Sequence, residues 1–338
     1  MSAADRVIAA LPRDASGVIL ESPGAVSWFL DGAAVSVPLG GTSVVAVLVT
    51  RNRVEVRCQV MELERLSAEH GIEGAIPVEW DKPLVPAEWL DEPGVRSEGE
   101  LQVELRAARA ALTDAEADRY RTLGSEVAAA VTTVAAATRA DMSEQSVAGD
   151  LADCLYSIGT EPVVLLVAGA SRIAYRHPLP TAGLLGDRAM LVVGARRHGL
   201  IVNLTRWVRF SGSDTNAEAG IRAVEADLLD ATVPGTTFAA LFARVQAAYP
   251  AHGFDPHEWR NHHQGGPTGY VGRDPKIGPD TPGVVAQQQA FAWNPSAPGV
   301  KAEDTVLATT AGIELLTHDP AWPTELVASR PRPLTMLR

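Results

Sequence analysis

From Thr113 to Thr309 the chain twice sets a pair of helices ahead of a group of strands, and that order leaves few folds open. Thr113-Asp114-Ala115-Glu116 is a capping box: the Thr hydroxyl serves the third backbone N–H and the Glu reaches back. It predicts an Ala-rich helix to about Thr138, and Ser143 caps a second one through Ile158, closed by Gly159. Strands are expected at Val163–Val167 and in a hairpin, Ala189–Ala195 and Leu200–Phe210, turning through Arg196-Arg197-His198-Gly199. Helices at Ala217–Leu229 and Phe238–Ala248 follow, then strands at Gln287–Trp293 and Thr305–Thr309. This is the pattern of an α+β domain with helices on one face of a curved, largely antiparallel sheet. Strict βαβ alternation and a Gly-rich phosphate loop are missing, which argues against dinucleotide and P-loop nucleotide binding.

The first hundred residues read as a smaller α/β unit. Gly17–Leu20 and Ser43–Val49 are β-branched runs, Arg53–Arg57 alternates charged and apolar residues, and a helix is expected from Met61 to His70. Glu79 to Glu100, rich in proline and acidic residues, reads as a connection, so the predicted domains are 1–101 and 102–338. Two domains suit 338 residues. A net charge of −12 argues against nucleic-acid partners. Cys58 and Cys154 are too few and too far apart for a disulfide framework or a CxxC metal site. The N-terminus has no apolar signal-peptide core and no run reaches a membrane span, so a cytoplasmic location is expected.

Asn261-His262-His263-Gln264-Gly265-Gly266-Pro267-Thr268-Gly269-Tyr270 is where chemistry is expected. Glycines let backbone approach a ligand, while His, Gln and Tyr bring donors and acceptors, and His changes protonation near neutral pH. The bland alternative is a solvated surface loop.

Five short motifs, in order, carry a resemblance. Arg176-His177-Pro178-Leu179-Pro180 looks like an "H..P" element, and Gly194-Ala195 through Asn203-Leu204-Thr205-Arg206 is similar to "D.GA…GY..D.TR". The HHQGG loop stands in the place of "GHGIG", and Lys301-Ala302-Glu303-Asp304 in that of "R.ED"; Gly24 to Gly32 looks like a creatinase-type N-terminal segment. Together they resemble the pita-bread superfamily: methionine aminopeptidase, prolidase, aminopeptidase P and the metal-free creatinase. The resemblance implies a pita-bread fold behind a creatinase-type α/β domain, a homodimer, and a hydrolase of small polar molecules.

The superfamily's metallopeptidases hold two divalent ions with two Asp, one His and two Glu. Carried over, these positions fall on Val192, Asn203, His263 (or His262 if the loop slips by one), Asn294 and Glu303. Hard cations need several anionic oxygens, so no bound metal and no cofactor are expected, beyond a single weak ion on His263, Glu303 and Asp304. What remains implies creatinase-like acid–base cleavage of a C–N bond. His177 is the proton-handling group, Glu303 supplies charge, and His263 shares the catalytic set. His262, Gln264, Asn203, Arg206, Tyr270, Arg273 and Asn294 are the expected substrate contacts, with a structural ion pair as the other reading of Arg206. An Xaa-Pro metallopeptidase and a non-catalytic binding protein stay open, as do lyase and isomerase chemistry.

Overall fold

A computed structural model describes residues 1–338. The chain divides into two units, Met1–Ala111 with His198–Leu200, and Leu112–Arg197 with Ile201–Arg338. No helix is long and apolar enough to cross a membrane.

The first unit is built on a five-stranded sheet ordered Ile76–Val78, Val54–Gln59, Val45–Thr50, Gly17–Leu20, Val95–Ser97. Val45–Thr50 is buried along its whole length, as a central strand of Val, Ala and Leu should be. The alternating Val54–Gln59 keeps a wetter face. Two expectations change here. The stretch from Glu79 to Glu100 is not a connection: it carries helix Ala87–Leu90 and strand Val95–Ser97, which pairs parallel with Gly17–Leu20. Its prolines and acids hide Trp89, a buried ring packed on Ile19, Ala46 and Leu48, whose burial ties the segment to the sheet. The boundary also moves from 101 to 111, because helix Gln102–Ala110 packs on helix Ala3–Ala10, with Arg6 Nε donating to the Ala108 carbonyl at 2.7 Å.

The second unit contains the predicted helix pairs. Asp114–Ala137 starts at the Thr113/Glu116 capping box and Glu144–Ser157 at Ser143; Asn216–Ala231 and Phe238–Ala251 start at Thr215 and Thr237. One sheet runs Met336–Leu337, Leu200–Arg209, Arg188–Arg197, Glu161–Gly169. A second runs Gly312–Leu315, Asp304–Thr309, Gln289–Trp293, Gly265–Pro267. An isolated bridge, Thr205 to Glu303, joins them, and the Asn203 amide donates to Thr305 Oγ1 at 2.7 Å.

The two halves repeat one local device. The amide of Glu144 donates to the Gly183 carbonyl at 2.9 Å, and that of Phe238 to the Gly283 carbonyl at 2.9 Å. Caps Ser143 and Thr237 make the matching bridges to Leu184 and Val284. In each half, therefore, a long loop returns to the start of the second helix before entering the sheet. His177 lies on the first such loop and Arg273 on the second.

Candidate active site

His262 and His263 leave a short 3-10 turn, Glu258–Asn261, and enter strand Gly265–Pro267. Their course is fixed by Gln264, whose Nε2 donates to the carbonyls of Trp259 (3.1 Å) and His262 (2.5 Å) while its Oε1 accepts from Tyr249 Oη (2.5 Å). Gly265 and Gly266 have φ of +110° and +146°, and a Cβ there would lie 2.2 Å from the Ala292 carbonyl and 2.4 Å from that of Pro275. Both glycines are required on conformation and on space. Gly265→Ala should cost about 1–3 kcal/mol from the strained backbone alone, read as a lower urea midpoint; an unchanged midpoint would show that the strand shifts freely.

His177 reaches the same place from the other half of the unit. Its neighbour Arg176 donates to Ser296 Oγ at 2.9 Å and pairs with Glu258, which accepts from Asn261 Nδ2 at 3.2 Å. Arg176 thus ties the His177 loop to the turn before His262. Three imidazoles result, with one nitrogen from each lying within 4.8 Å of the others. His177 Nε2 stands 3.1 Å from His262 Nε2, and the rings of His262 and His263 stack at 4.4 Å.

Beneath them lies Glu303, 3% exposed and fully engaged. Its Oε1 accepts from Arg273 at 2.7 Å; its Oε2 meets Lys301 Nζ at 2.8 Å and Thr205 Oγ1 at 2.8 Å. Burial alone would push this carboxyl up, but the Lys301 and Arg273 charges with the Lys301 and Thr205 hydrogen bonds hold it down at about 2. The imidazoles respond oppositely. Burial, then the charge of Lys301 and that of Lys276, lowers His177 against the opposing pull of Glu303. Burial, with His263, Lys301 and His177, brings His262 down to about 3; burial, with Arg273 and Lys276, does the same for His263. At pH 7 the trio is neutral, so it offers N–H donors and bare nitrogens rather than charge.

A stability consequence follows. Below pH 6.5 an unfolded chain protonates these histidines while the folded one resists until about pH 3. The native protein should therefore lose stability over that window more steeply than a His262→Gln/His263→Gln double variant. Parallel urea-derived stabilities from pH 7 to 4 would count against it.

Several expected contacts are committed elsewhere. Arg206 is a buried structural cation, donating to Asp304 Oδ1 at 2.9 Å and the Thr317 carbonyl at 2.6 Å. Asp304 also meets Arg332 at 2.5 Å and Thr317 Oγ1 at 2.6 Å, so it is not available for a weak ion beside His263 and Glu303. Tyr270 Oη donates to Glu116 Oε1 at 2.8 Å, and Gln264 is spent within its loop. Asn203 Nδ2 lies 3.5 Å from Thr268 Oγ1, and the buried Asn294 Oδ1 has no hydrogen-bond partner in the protein. The residue missed in the sequence is Lys301. It stands two positions before Glu303 on extended chain, hence on the same face, and that spacing was the available signal.

The family model described as metallopeptidase family M24 matches residues 118–310, more than half of the chain. The chain belongs to that family. Among solved structures, this M24 protein is similar to the prolidase from Pyrococcus horikoshii OT3 (17% identity, TM-score 0.75), covering 94% of its own length and 98% of that chain. It is also similar to the Xaa-Pro dipeptidase from Bacillus anthracis (16%, 0.74; 94% and 97%) and the X-Pro aminopeptidase from Thermotoga maritima MSB8 (15%, 0.73; 95% and 98%). No curated relative matches the sequence. The likeness, which spans nearly the whole chain, establishes a pita-bread fold together with its smaller N-terminal α/β unit, and the M24 membership supports a peptidase-like hydrolase.

The paired ions of M24 metallopeptidases do not suit these residues. Val192 is packed among Leu166, Ala168, Met190 and Trp207 and has no donor atom. Asn203 and Asn294 are neutral, and both oxygens of Glu303 already face cations. Two hard dications need several free anionic oxygens, and this site offers none uncommitted.

Proposed function

We propose that this M24 chain is a hydrolase that cleaves a C–N bond in a small polar molecule without the paired ions. The supporting observation is the engagement of Glu303 by Lys301 and Arg273, which leaves the expected dimetal position cationic. In this reading His177, neutral at pH 7, donates its Nε2–H to His262 and takes a proton from water through Nδ1 as the water oxygen attacks the carbon. The imidazolium then protonates the leaving nitrogen as the C–N bond breaks. His262 orients His177 across the 3.1 Å contact, and its own low basicity keeps the proton on His177. Lys301 and Arg273 supply fixed positive charge for oxygen that becomes negative. The creatinase resemblance adds a homodimer to this reading, and the expected cytoplasmic location is kept with it.

The test is hydrolysis by EDTA-treated protein of small amides, guanidino acids and Xaa-Pro dipeptides, repeated with Mn2+ and Co2+. Cleavage that survives EDTA supports the reading. Cleavage of Xaa-Pro dipeptides that requires added ions would return the chain to metallopeptidase chemistry, and binding without turnover of any compound would make it a binding protein.

A further inference from the structure

We propose that His177, His262 and His263 together take one first-row transition ion of the imidazole-preferring kind, Zn2+, Co2+ or Cu2+, and that this ion switches the site off. The switching half rests on the function proposed above; the binding half does not.

Geometry carries the binding. Metal–imidazole bonds of about 2.0–2.1 Å in a tetrahedral site put neighbouring nitrogens roughly 3.3 Å apart. Two of the three already stand at 3.1 Å, and all three lie within 4.8 Å, within reach of small side-chain rotations. The two backbones that bring them are held rigidly, by Arg176 on one side and Gln264 on the other. The donor set selects the ion: three nitrogens and no uncommitted carboxylate suit Zn2+, Co2+ or Cu2+ rather than Mg2+, Ca2+ or Mn2+.

The same surroundings make the ion exchangeable. A ligating histidine ordinarily bonds its second ring nitrogen to an acceptor, and losing that partner costs about 10–100-fold in affinity. His262 Nδ1 is buried with no hydrogen-bond partner in the protein, and the charges of Lys301, Arg273 and Lys276 bear on the cluster. An ion held on His177 Nε2 also fixes the ring proton on Nδ1, where the hydrolysis needs a lone pair, so binding and turnover exclude each other.

The experiment is titration of EDTA-treated full-length protein with CoCl2, followed by visible d–d absorption and calorimetry, with Cu2+ EPR to count nitrogen ligands. One ion per chain with three nitrogens is expected. His262→Gln and His263→Gln should each weaken binding at least about 10-fold, ligand loss exceeding loss of a supporting contact, with melting temperatures confirming that the variants fold. Absence of d–d bands, or binding indifferent to both substitutions, would overturn the site. If EDTA-treated protein cleaves a C–N bond, Co2+ should suppress that activity and EDTA restore it; stimulation would overturn the switch. If nothing is cleaved, the function fails while the spectra still decide the site.

Discussion

Replacing His177 by alanine is expected to lower turnover by about 10²- to 10⁴-fold, the usual worth of a positioned acid–base group. Stability should barely move, because His177 is exposed and its hydrogen bond is to another half-exposed imidazole. The combination matters: a large kinetic loss with an unchanged melting temperature separates chemistry from folding. The pH dependence adds a second check. Partial desolvation and the charges of Lys301 and Lys276 lower His177 below its ordinary 6.5, so the acid limb of kcat/KM should fall below that pH. A variant retaining native turnover, or a native acid limb well above pH 6.5, would remove His177 from the mechanism. Loss of affinity alone, with kcat unchanged, would assign it to binding.

Helices and strands of the second unit were legible because local signals agreed with the fold: capping boxes, a Gly-closed helix and β-branched runs. The errors came where a tertiary contact decides. Trp89 pulls a proline-rich stretch into a sheet, and Arg6 with helix Ala3–Ala10 fixes the domain end ten residues later than composition suggested. At the site, the motif order pointed to histidines that the fold brings together, but not to the partners of the residues around them. An arginine in a "TR" motif looks ready for a substrate carboxylate, yet Arg206 is consumed by Asp304, a neighbour only in the folded sheet. Likewise the motifs placed His177 and the two histidines of the HHQGG loop in one site, but nothing local signalled the direct His177–His262 contact, which spans 85 residues.

The second large effect concerns Glu303, where catalysis and stability meet. Glu303→Gln keeps the shape and leaves Lys301 and Arg273, both within 2.8 Å of it and both buried, without their counter-charge. Breaking a buried pair from one side costs about 3–5 kcal/mol, so urea denaturation at pH 7 should show a loss of that order. The pH dependence of the loss has a defined sign. Glu303 is depressed to about 2 from an ordinary 4.5, so its contribution is complete above 4.5 and is lost as pH falls from 4.5 towards 2. The gap between native and variant proteins should therefore narrow through that window. A loss under about 1 kcal/mol, the value of an exposed pair, would mean that the cations find other partners. The function moves with it: Glu303 is the group that opposes the lowering of His177, so without it the acid limb should shift to still lower pH. A variant as unstable as expected but with an unshifted limb would make Glu303 a structural anchor of Lys301 and Arg273 and nothing more.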